Sequence, residues 1–439
     1  MSQIDLLLHA RSIVTVDTDN RVLEDHCLAI DAGQIVAILP SAEAAPRYQA
    51  KQTQHFDKHV LMPGLVNTHT HAAMNLMRGI ADDVPLMEWL EHHIWPIEAK
   101  WVNSDFVRDG TRLAIAEMIR GGTTCFNDMY FYPDQVARVA SEIGIRASIG
   151  LIVIDFPTVW AQDADEYIRK GLKVHDQACA ESDLITTAFA PHAPYSVSDK
   201  PLKKISQLAE QLDIPIHMHV HETAHEVNMG MEASGQRPLD RLHELGLLSP
   251  RLLAVHMTQL NDEDIKKLVS TGTHVLHCPE SNLKLASGFC PVQKLLDAGV
   301  NVCLGTDSVA SNNDLDMFGE LRTATLLAKG VSGDPRSVDV TTALRMATIN
   351  AAAALGLDKV TGSLEVGKAA DVIALDMERI ETQPMFEPLS QIVHASGRHH
   401  VTDVWVAGKQ LLHEGKLTGM DEVTLMETAK KWGKRIREG

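Results

Sequence analysis

Two histidines stand two apart in the run Leu61-Met62-Pro63-Gly64-Leu65-Val66-Asn67-Thr68-His69-Thr70-His71. On a strand, residues two apart face the same side. A pair of imidazoles so placed at a strand's end can grip one metal ion, and imidazole is a preferred ligand of Zn²⁺. A second histidine-rich run, Pro215-Ile216-His217-Met218-His219-Val220-His221-Glu222, offers three more on one face by parity. Chemistry alone leaves open which of His217, His219 and His221 would join His69 and His71, and any one of them reads equally well as a satisfied interior histidine. A further run, Leu304-Gly305-Thr306-Asp307-Ser308, places a carboxylate directly after an apolar strand, where it could be a metal ligand or a helix N-cap. Three histidines and an aspartate around one ion suit Zn²⁺, and Fe²⁺ suits the same donors.

These residues need a frame that brings distant strand ends together. Between residues 61 and 305 eight short, apolar, β-rich runs alternate with helical stretches: Leu61–His71, Thr123–Tyr130, Arg146–Ile154, Leu184–Ala190, Pro215–His221, Leu252–Met257, Thr273–Cys278 and Val300–Gly305. Strand–helix alternation implies parallel strands joined by right-handed crossovers. Eight units predict a (β/α)8 TIM-like barrel, with a doubly wound open sheet as the alternative. The polar residues favour the barrel. His69, His71, Asp128, His192, His219, Glu222, His256, His277 and Asp307 all fall at C-terminal strand ends, where barrel active sites form. The two chain ends are β-rich and read as one small β-sandwich domain assembled from both. The expected division is 1–61 with 368–420 for that domain, 62–367 for the barrel and 421–439 for a terminal helix.

Composition narrows the partners. The 439-residue chain is 45% hydrophobic and 22% charged, ordinary for a globular protein with a full core. Its formal net charge of −18 argues against nucleic-acid backbones and anionic membranes, but not against a small neutral nucleoside. No apolar run of about 18 residues predicts a membrane span, and the N-terminal Met1-Ser2-Gln3-Ile4-Asp5 does not read as a signal peptide. The six cysteines, Cys27, Cys125, Cys179, Cys278, Cys290 and Cys303, are scattered and suit a reduced, cytoplasmic protein. The Pro-Cys-x-x-Cys zinc motif of nucleic-acid base deaminases is absent. Leu184–Ala190 holds no Lys that could carry a bridging carboxylate, which favours one metal ion over two.

Taken as a set, several segments carry a resemblance that covers nearly the whole chain. They are Pro63–His71, Met77-Arg78-Gly79, Trp89-Leu90, Trp95-Pro96-Ile97-Glu98, Pro191-His192-Ala193-Pro194-Tyr195-Ser196, His219-Val220-His221-Glu222-Thr223, Val255-His256 and Gly305-Thr306-Asp307-Ser308. The chain resembles the amidohydrolase superfamily, in its branch of mononuclear aminohydrolases, and within that the 5-methylthioadenosine/S-adenosylhomocysteine deaminases.

The resemblance implies that one Zn²⁺ per subunit is held by His69, His71, His219 and Asp307, because the family's ligand histidine precedes a Glu by three residues and only His219 with Glu222 fits. It implies that Glu98 and His192 contact substrate, as Glu222 and Asp307 also do. It implies hydrolytic deamination at C6 of a 5′-modified adenosine, giving the inosine analogue and ammonia. In that chemistry Zn²⁺ lowers the pKa of a water towards ~7. Asp307 takes the water's proton, His256 orients the attacking oxygen and Glu222 protonates the ring nitrogen. Relatives are often homo-oligomers, so the resemblance allows one here.

The Arg that some relatives use for a charged substrate tail is not in register near Ala147–Phe156; Arg169 lies nearby on a helical stretch. The apolar Ile152, Ile154, Phe156 and Trp160 suit a methylthio group better than a zwitterionic tail, which favours 5′-methylthioadenosine over S-adenosylhomocysteine, with adenosine as a further substrate. The competing readings are the same metal chemistry on another ring (guanine, a pterin or a chlorotriazine) and a non-catalytic purine-binding protein.

Overall fold

Eight parallel strands carry the centre of the molecule. The computed structural model describes residues 1–439. In chain order the strands of the outer sheet begin with β1 (Ser2–Val14), β2 (Val22–Asp31), β3 (Gln34–Pro40) and β4 (Tyr48–Pro63). The barrel strands follow: β5 (Leu65–Thr70), β6 (Thr123–Tyr130), β7 (Arg146–Val153), β8 (Ile185–Pro191), β9 (Ile216–Val220), β10 (Leu252–His256), β11 (His274–His277) and β12 (Val302–Leu304). The outer sheet resumes with β13 (Val372–Asp376), β14 (Val401–Val406), β15 (Lys409–His413) and β16 (Lys416–Leu417).

The barrel strands are ordered β5 to β12 in sequence, each parallel to the next. They are buried on both faces, which is why they read as unbroken apolar runs rather than as alternating ones. Helices pack outside them, among them Ser104–Arg120, Pro133–Ile143, Ala164–Glu181, Asp199–Leu212 and Ala224–Ser234.

The seam between β12 and β5 closes differently. The Asp307 N–H donates to the His69 carbonyl at 3.0 Å. The Asn67 side chain bonds Thr306 twice, accepting from its N–H at 3.0 Å and donating to its hydroxyl at 2.8 Å. Gly305 permits this approach, because a Cβ there would lie 2.7 Å from the His69 nitrogen.

The outer sheet joins both ends of the chain. β1 pairs antiparallel with β2 and parallel with β4, and β4 pairs antiparallel with β13. The segment Leu61–His71, expected as one strand, is divided. Leu61, Met62 and Pro63 pair with Ala374, Ile373 and Val372 in the outer sheet, and the barrel strand starts at Leu65. Gly64 marks the crossing: a Cβ there would fall 2.0 Å from the Thr124 hydroxyl. The polar stretch before it, from Tyr48, is a strand that alternation did not reveal, because most of its residues are exposed or half-buried.

One buried ion pair ties the two layers together. The Arg146 guanidinium, at the start of β7, donates to both oxygens of Asp371 at 2.9 and 3.2 Å. Asp371 also accepts from the Ala407 N–H at 2.7 Å, and its carbonyl accepts from Gly64. The chain's last helix, Glu422–Glu438, lies on Ser104–Arg120 through Trp432, which stacks edge-on to Phe106 and donates to Asp109 at 3.0 Å.

Removing one member of a buried pair leaves a charge with no partner, typically at a cost of about 3–5 kcal/mol. Arg146→Met should therefore destabilise the fold by about that much in a urea titration. A loss below about 1 kcal/mol would show that the pair does not hold the outer sheet to the barrel.

Candidate active site

The ends of β5, β9, β10 and the turn after β12 meet at the C-terminal mouth of the barrel. There the nearest donor atoms of His69, His71 and Asp307 lie within 4.8 Å of one another, as do those of His69, His219 and His256. His69 Nε2 is 3.2 Å from His219 Nε2 and 3.3 Å from Asp307 Oδ1; His71 Nε2 is 3.4 Å from that same oxygen. All are buried except His71, which is partly open.

The hydrogen bonds behind these rings set their tautomers. His71 Nδ1 faces the Met129 carbonyl at 2.5 Å, and His219 Nδ1 faces the His192 carbonyl at 2.8 Å. A carbonyl only accepts, so each Nδ1 carries the proton and each Nε2 presents a lone pair to the centre. Burial pushes the His69 imidazole down to about 4, so it too is neutral at pH 7. Asp307 brings a carboxylate to the same point, held by Ser281 at 2.6 Å, Ser311 at 2.9 Å and the Ser308 N–H at 2.7 Å. Donors around a tetrahedral ion with bonds of about 2.0–2.1 Å sit roughly 3.3 Å apart, which is the spacing here. Lone pairs and a carboxylate converging without protons between them fit a divalent cation.

The other two histidines of this run point elsewhere. His217 Nε2 lies 2.8 Å from His69 Nδ1, on the far side of that ring from the cluster. His221 Nε2 accepts from the Leu239 N–H at 3.1 Å. Asp128, read as a rim residue, accepts from Thr70 and the Ala72 N–H at 3.0 and 2.7 Å and so fixes the β5 turn. His277 is buried on β11 and does not line the cavity.

A cavity of about 690 Å³ opens above the cluster. Glu98, His192, Glu222, His256 and Asp307 all line it. Glu222 is buried, which pushes its carboxyl up to about 8, with the charge of Asp307 adding to the rise. Its Oε2 is 3.8 Å from His256 Nε2, whose other nitrogen is 2.8 Å from Asn282 Oδ1. Glu98 accepts from the Tyr130 hydroxyl at 2.7 Å, and burial lifts its carboxyl to about 7. His192 Nδ1 is 2.9 Å from the Ser196 hydroxyl.

Ile152, Ile154 and Phe156 line the cavity as read from the sequence, joined by Leu86, Met87 and Leu90. Trp160 does not; it packs against Tyr132 with ring centroids 5.0 Å apart. Arg169 is on the exposed face of its helix, 3.7 Å from Glu166. No Arg or Lys lines the cavity.

Sequence reading missed Tyr130, Ser281, Asn282, Ser311 and Glu226. The first four are ordinary polar residues whose role exists only through contacts across the barrel. Glu226 carried a signal: it stands three residues after Thr223, the spacing of a capping box. Burial lifts its carboxyl to about 7, opposed by bonds from the Glu222 and His221 N–H groups.

A parallel eight-stranded barrel with buried imidazoles and a carboxylate converging at its C-terminal mouth presents a donor set suited to a divalent metal ion. The amidohydrolase family profile matches residues 60–411. A 5-methylthioadenosine/S-adenosylhomocysteine deaminase of Saccharophagus degradans is 49% identical over 433 residues, 99% of this chain and 97% of the relative. A 5′-deoxyadenosine deaminase of Methanothermobacter thermautotrophicus is 44% identical over 371 residues, 84% of this chain and 86% of the relative. The crystal structure of an adenosine deaminase from Xanthomonas campestris with bound zinc superposes with a TM-score of 0.98 at 52% identity, covering 100% of both chains. The chain belongs to the amidohydrolase family, in its branch of 5-methylthioadenosine/S-adenosylhomocysteine deaminases, and is a hydrolytic deaminase.

Loss of one donor from such a set should empty it. His219→Ala and Asp307→Ala, purified and dialysed, should each retain far less than one equivalent of metal by elemental analysis. Retention of a full equivalent in either variant would place the ion elsewhere.

Proposed function

We propose that this enzyme hydrolyses the C6 amino group of 5′-modified adenosines, with 5′-methylthioadenosine preferred, through one Zn²⁺ ion held by His69, His71, His219 and Asp307. The observation that carries the reading is the convergence of three imidazoles and a carboxylate beside the buried Glu222 in one apolar cavity. When bound, the ion supplies Lewis acidity that lets water act as a nucleophile near neutral pH.

The protein's own groups do the rest. Asp307 accepts the proton of the attacking water on a carboxylate already steadied by two serines. His256, held against Asn282, orients that water. Glu222 donates its proton to the ring nitrogen beside C6, which makes the carbon a better electrophile. As the tetrahedral centre collapses, the proton held by Asp307 passes to the amine, the C6–N bond breaks and ammonia departs, while the C6 hydroxyl gives its proton back to Glu222 and becomes the carbonyl. Glu98 and His192 bind the nucleoside; Glu98, with Tyr130 at its back, is suited to ribose hydroxyls.

The 5′ substituent meets a wall of Ile152, Ile154, Phe156, Leu86, Met87 and Leu90. That surface matches a thioether, whereas an amino-acid tail would bring a carboxylate to a lining with no cation to receive it. The names of relatives include both 5-methylthioadenosine/S-adenosylhomocysteine and 5′-deoxyadenosine deaminases, which supports a 5′-modified adenosine as the substrate class. Six free cysteines, five of them buried, support a reduced, cytoplasmic setting. We propose the division into a barrel over 62–367, a composite β domain of 1–61 with 368–420 and a terminal helix over 421–439, with Met62 and Pro63 completing the outer-sheet strand before the barrel strand begins at Leu65.

Ammonia release from 5′-methylthioadenosine, S-adenosylhomocysteine, adenosine and guanine, with chloride release from a chlorotriazine, tests the assignment through ratios of kcat/KM. Methylthioadenosine should lead. A lead for S-adenosylhomocysteine would overturn the 5′ preference, and turnover confined to another ring would overturn the substrate class.

Glu222→Gln should keep its metal and lose at least ~10²-fold in kcat, as removal of a general acid does. Glu222 acts in its protonated form, which prevails below about 8 and disappears as pH rises through that value. The rate should therefore fall on the alkaline side, and the fall should vanish from the residual activity of Glu222→Gln. An unchanged alkaline limb in that variant would assign the acid to another group.

A further inference from the structure

The carboxyl group of Glu222 makes no hydrogen bond that would hold it; the imidazole of His256 is 3.8 Å away. What is fixed is the backbone on which it stands. At the end of β9 the chain turns sharply, with His221 in the left-handed region at φ +53°. Such a conformation is uncommon in a non-glycine residue and persists only where its surroundings hold it.

Two residues grip this turn from opposite sides. Glu226 accepts from the His221 N–H with one oxygen at 2.9 Å and from the Glu222 N–H with the other at 2.8 Å. Thr258, after β10, donates its hydroxyl to the Glu222 carbonyl at 2.6 Å and its N–H to the His221 carbonyl at 3.0 Å. Glu226 itself is only 4% exposed.

Its placement departs from an ordinary helix cap. Thr223 is the N-cap of Ala224–Ser234, and its hydroxyl accepts from the Glu226 N–H at 3.2 Å. In a capping box the side chain three residues into the helix returns to the N–H of the cap itself. Here it passes the cap and takes the two N–H groups before it. Those two belong to the strained residue and to the acid. A helix-capping device has been aimed at the acid's backbone.

We propose that Glu226 is a positioning residue for deamination, a bidentate clamp on the His221 and Glu222 amides that sets where the Glu222 carboxyl meets the substrate ring. This rests on the reading of Glu222 as the general acid. Glu226 touches no reacting atom, and it does not line the cavity. Its hydrogen bonds reach the reaction through the His221–Glu222 backbone.

The test is a double-mutant cycle on the zinc-loaded enzyme with 5′-methylthioadenosine, using Glu226→Gln, Glu222→Gln and the pair. A glutamine keeps one acceptor but turns an NH2 towards the second N–H, so the turn relaxes. A misplacement of ~1 Å can cost ~10²-fold in rate. Glu226→Gln should lower kcat by ~10–10²-fold with KM, bound metal and Tm close to wild type. The double variant should be no slower than Glu222→Gln, because a clamp has nothing to position once the acid is gone. Should Glu226→Gln fold poorly, Glu226→Asp, too short to reach both amides, serves in its place with the same expectation.

Wild-type kcat in the Glu226 variant would overturn the proposal. So would losses that multiply in the double variant, or a fall in kcat that tracks lost metal or lowered Tm. Full activity in Glu222→Gln would be a different failure: it would remove Glu222 as the acid and leave Glu226 with nothing to position.

Discussion

A set of acceptors facing one another in a dry place is the constraint on which this structure depends. His71 and His219 turn lone pairs inward because backbone carbonyls hold their other nitrogens, and Asp307 adds a carboxylate. Such an array is unfavourable alone and favourable around a cation. It also straddles the seam of the barrel. The His69 carbonyl receives the Asp307 N–H, so the hydrogen bond that closes the barrel joins two of the proposed ligands. Gly305 and Asn67 serve the closure and the site at once.

The site also concentrates backbone strain. His221, His256, Met257 and Asp307 all have positive φ, at 53°, 74°, 50° and 62°. Each stands where a barrel strand ends or has just ended and the chain must swing a side chain over the mouth. Conformations of this kind cost of order 1–3 kcal/mol each and are held by their surroundings. The holding contacts are visible: Glu226 and the Thr258 N–H on His221, Asn282 on the ring of His256, and Ser281, Ser308 and Ser311 on Asp307. The outer sheet steadies the same frame from behind through Arg146 and Asp371.

Much of this is legible in the sequence. The barrel strands are buried on both faces, so each announces itself as an apolar run; Thr123–Tyr130 was read to the residue. Polar residues at the ends of such runs have no structural reason to cluster, and that excess pointed to a rim. Three features resisted reading. The strand Tyr48–Pro63 is largely solvated, so its pattern is polar. The split at Gly64 depends on Thr124, a contact across the barrel. The choice among His217, His219 and His221 depends on two contacts beyond spacing: His217 keeps the parity of His219 but lies on the Nδ1 side of His69, and the turn at His221 breaks the parity there; family resemblance, not spacing, singled out His219. Ser281, Asn282 and Ser311 act through bonds that no spacing along the chain encodes.

X-ray absorption at the zinc edge, on enzyme loaded with one equivalent, tests the central claim most directly, because it reports the ion's immediate neighbours. The account predicts a first shell of nitrogen and oxygen at about 2.0–2.1 Å, with the outer-ring scattering of three imidazoles. A sulfur neighbour at about 2.3 Å, or a shell of oxygen without imidazole, would contradict it.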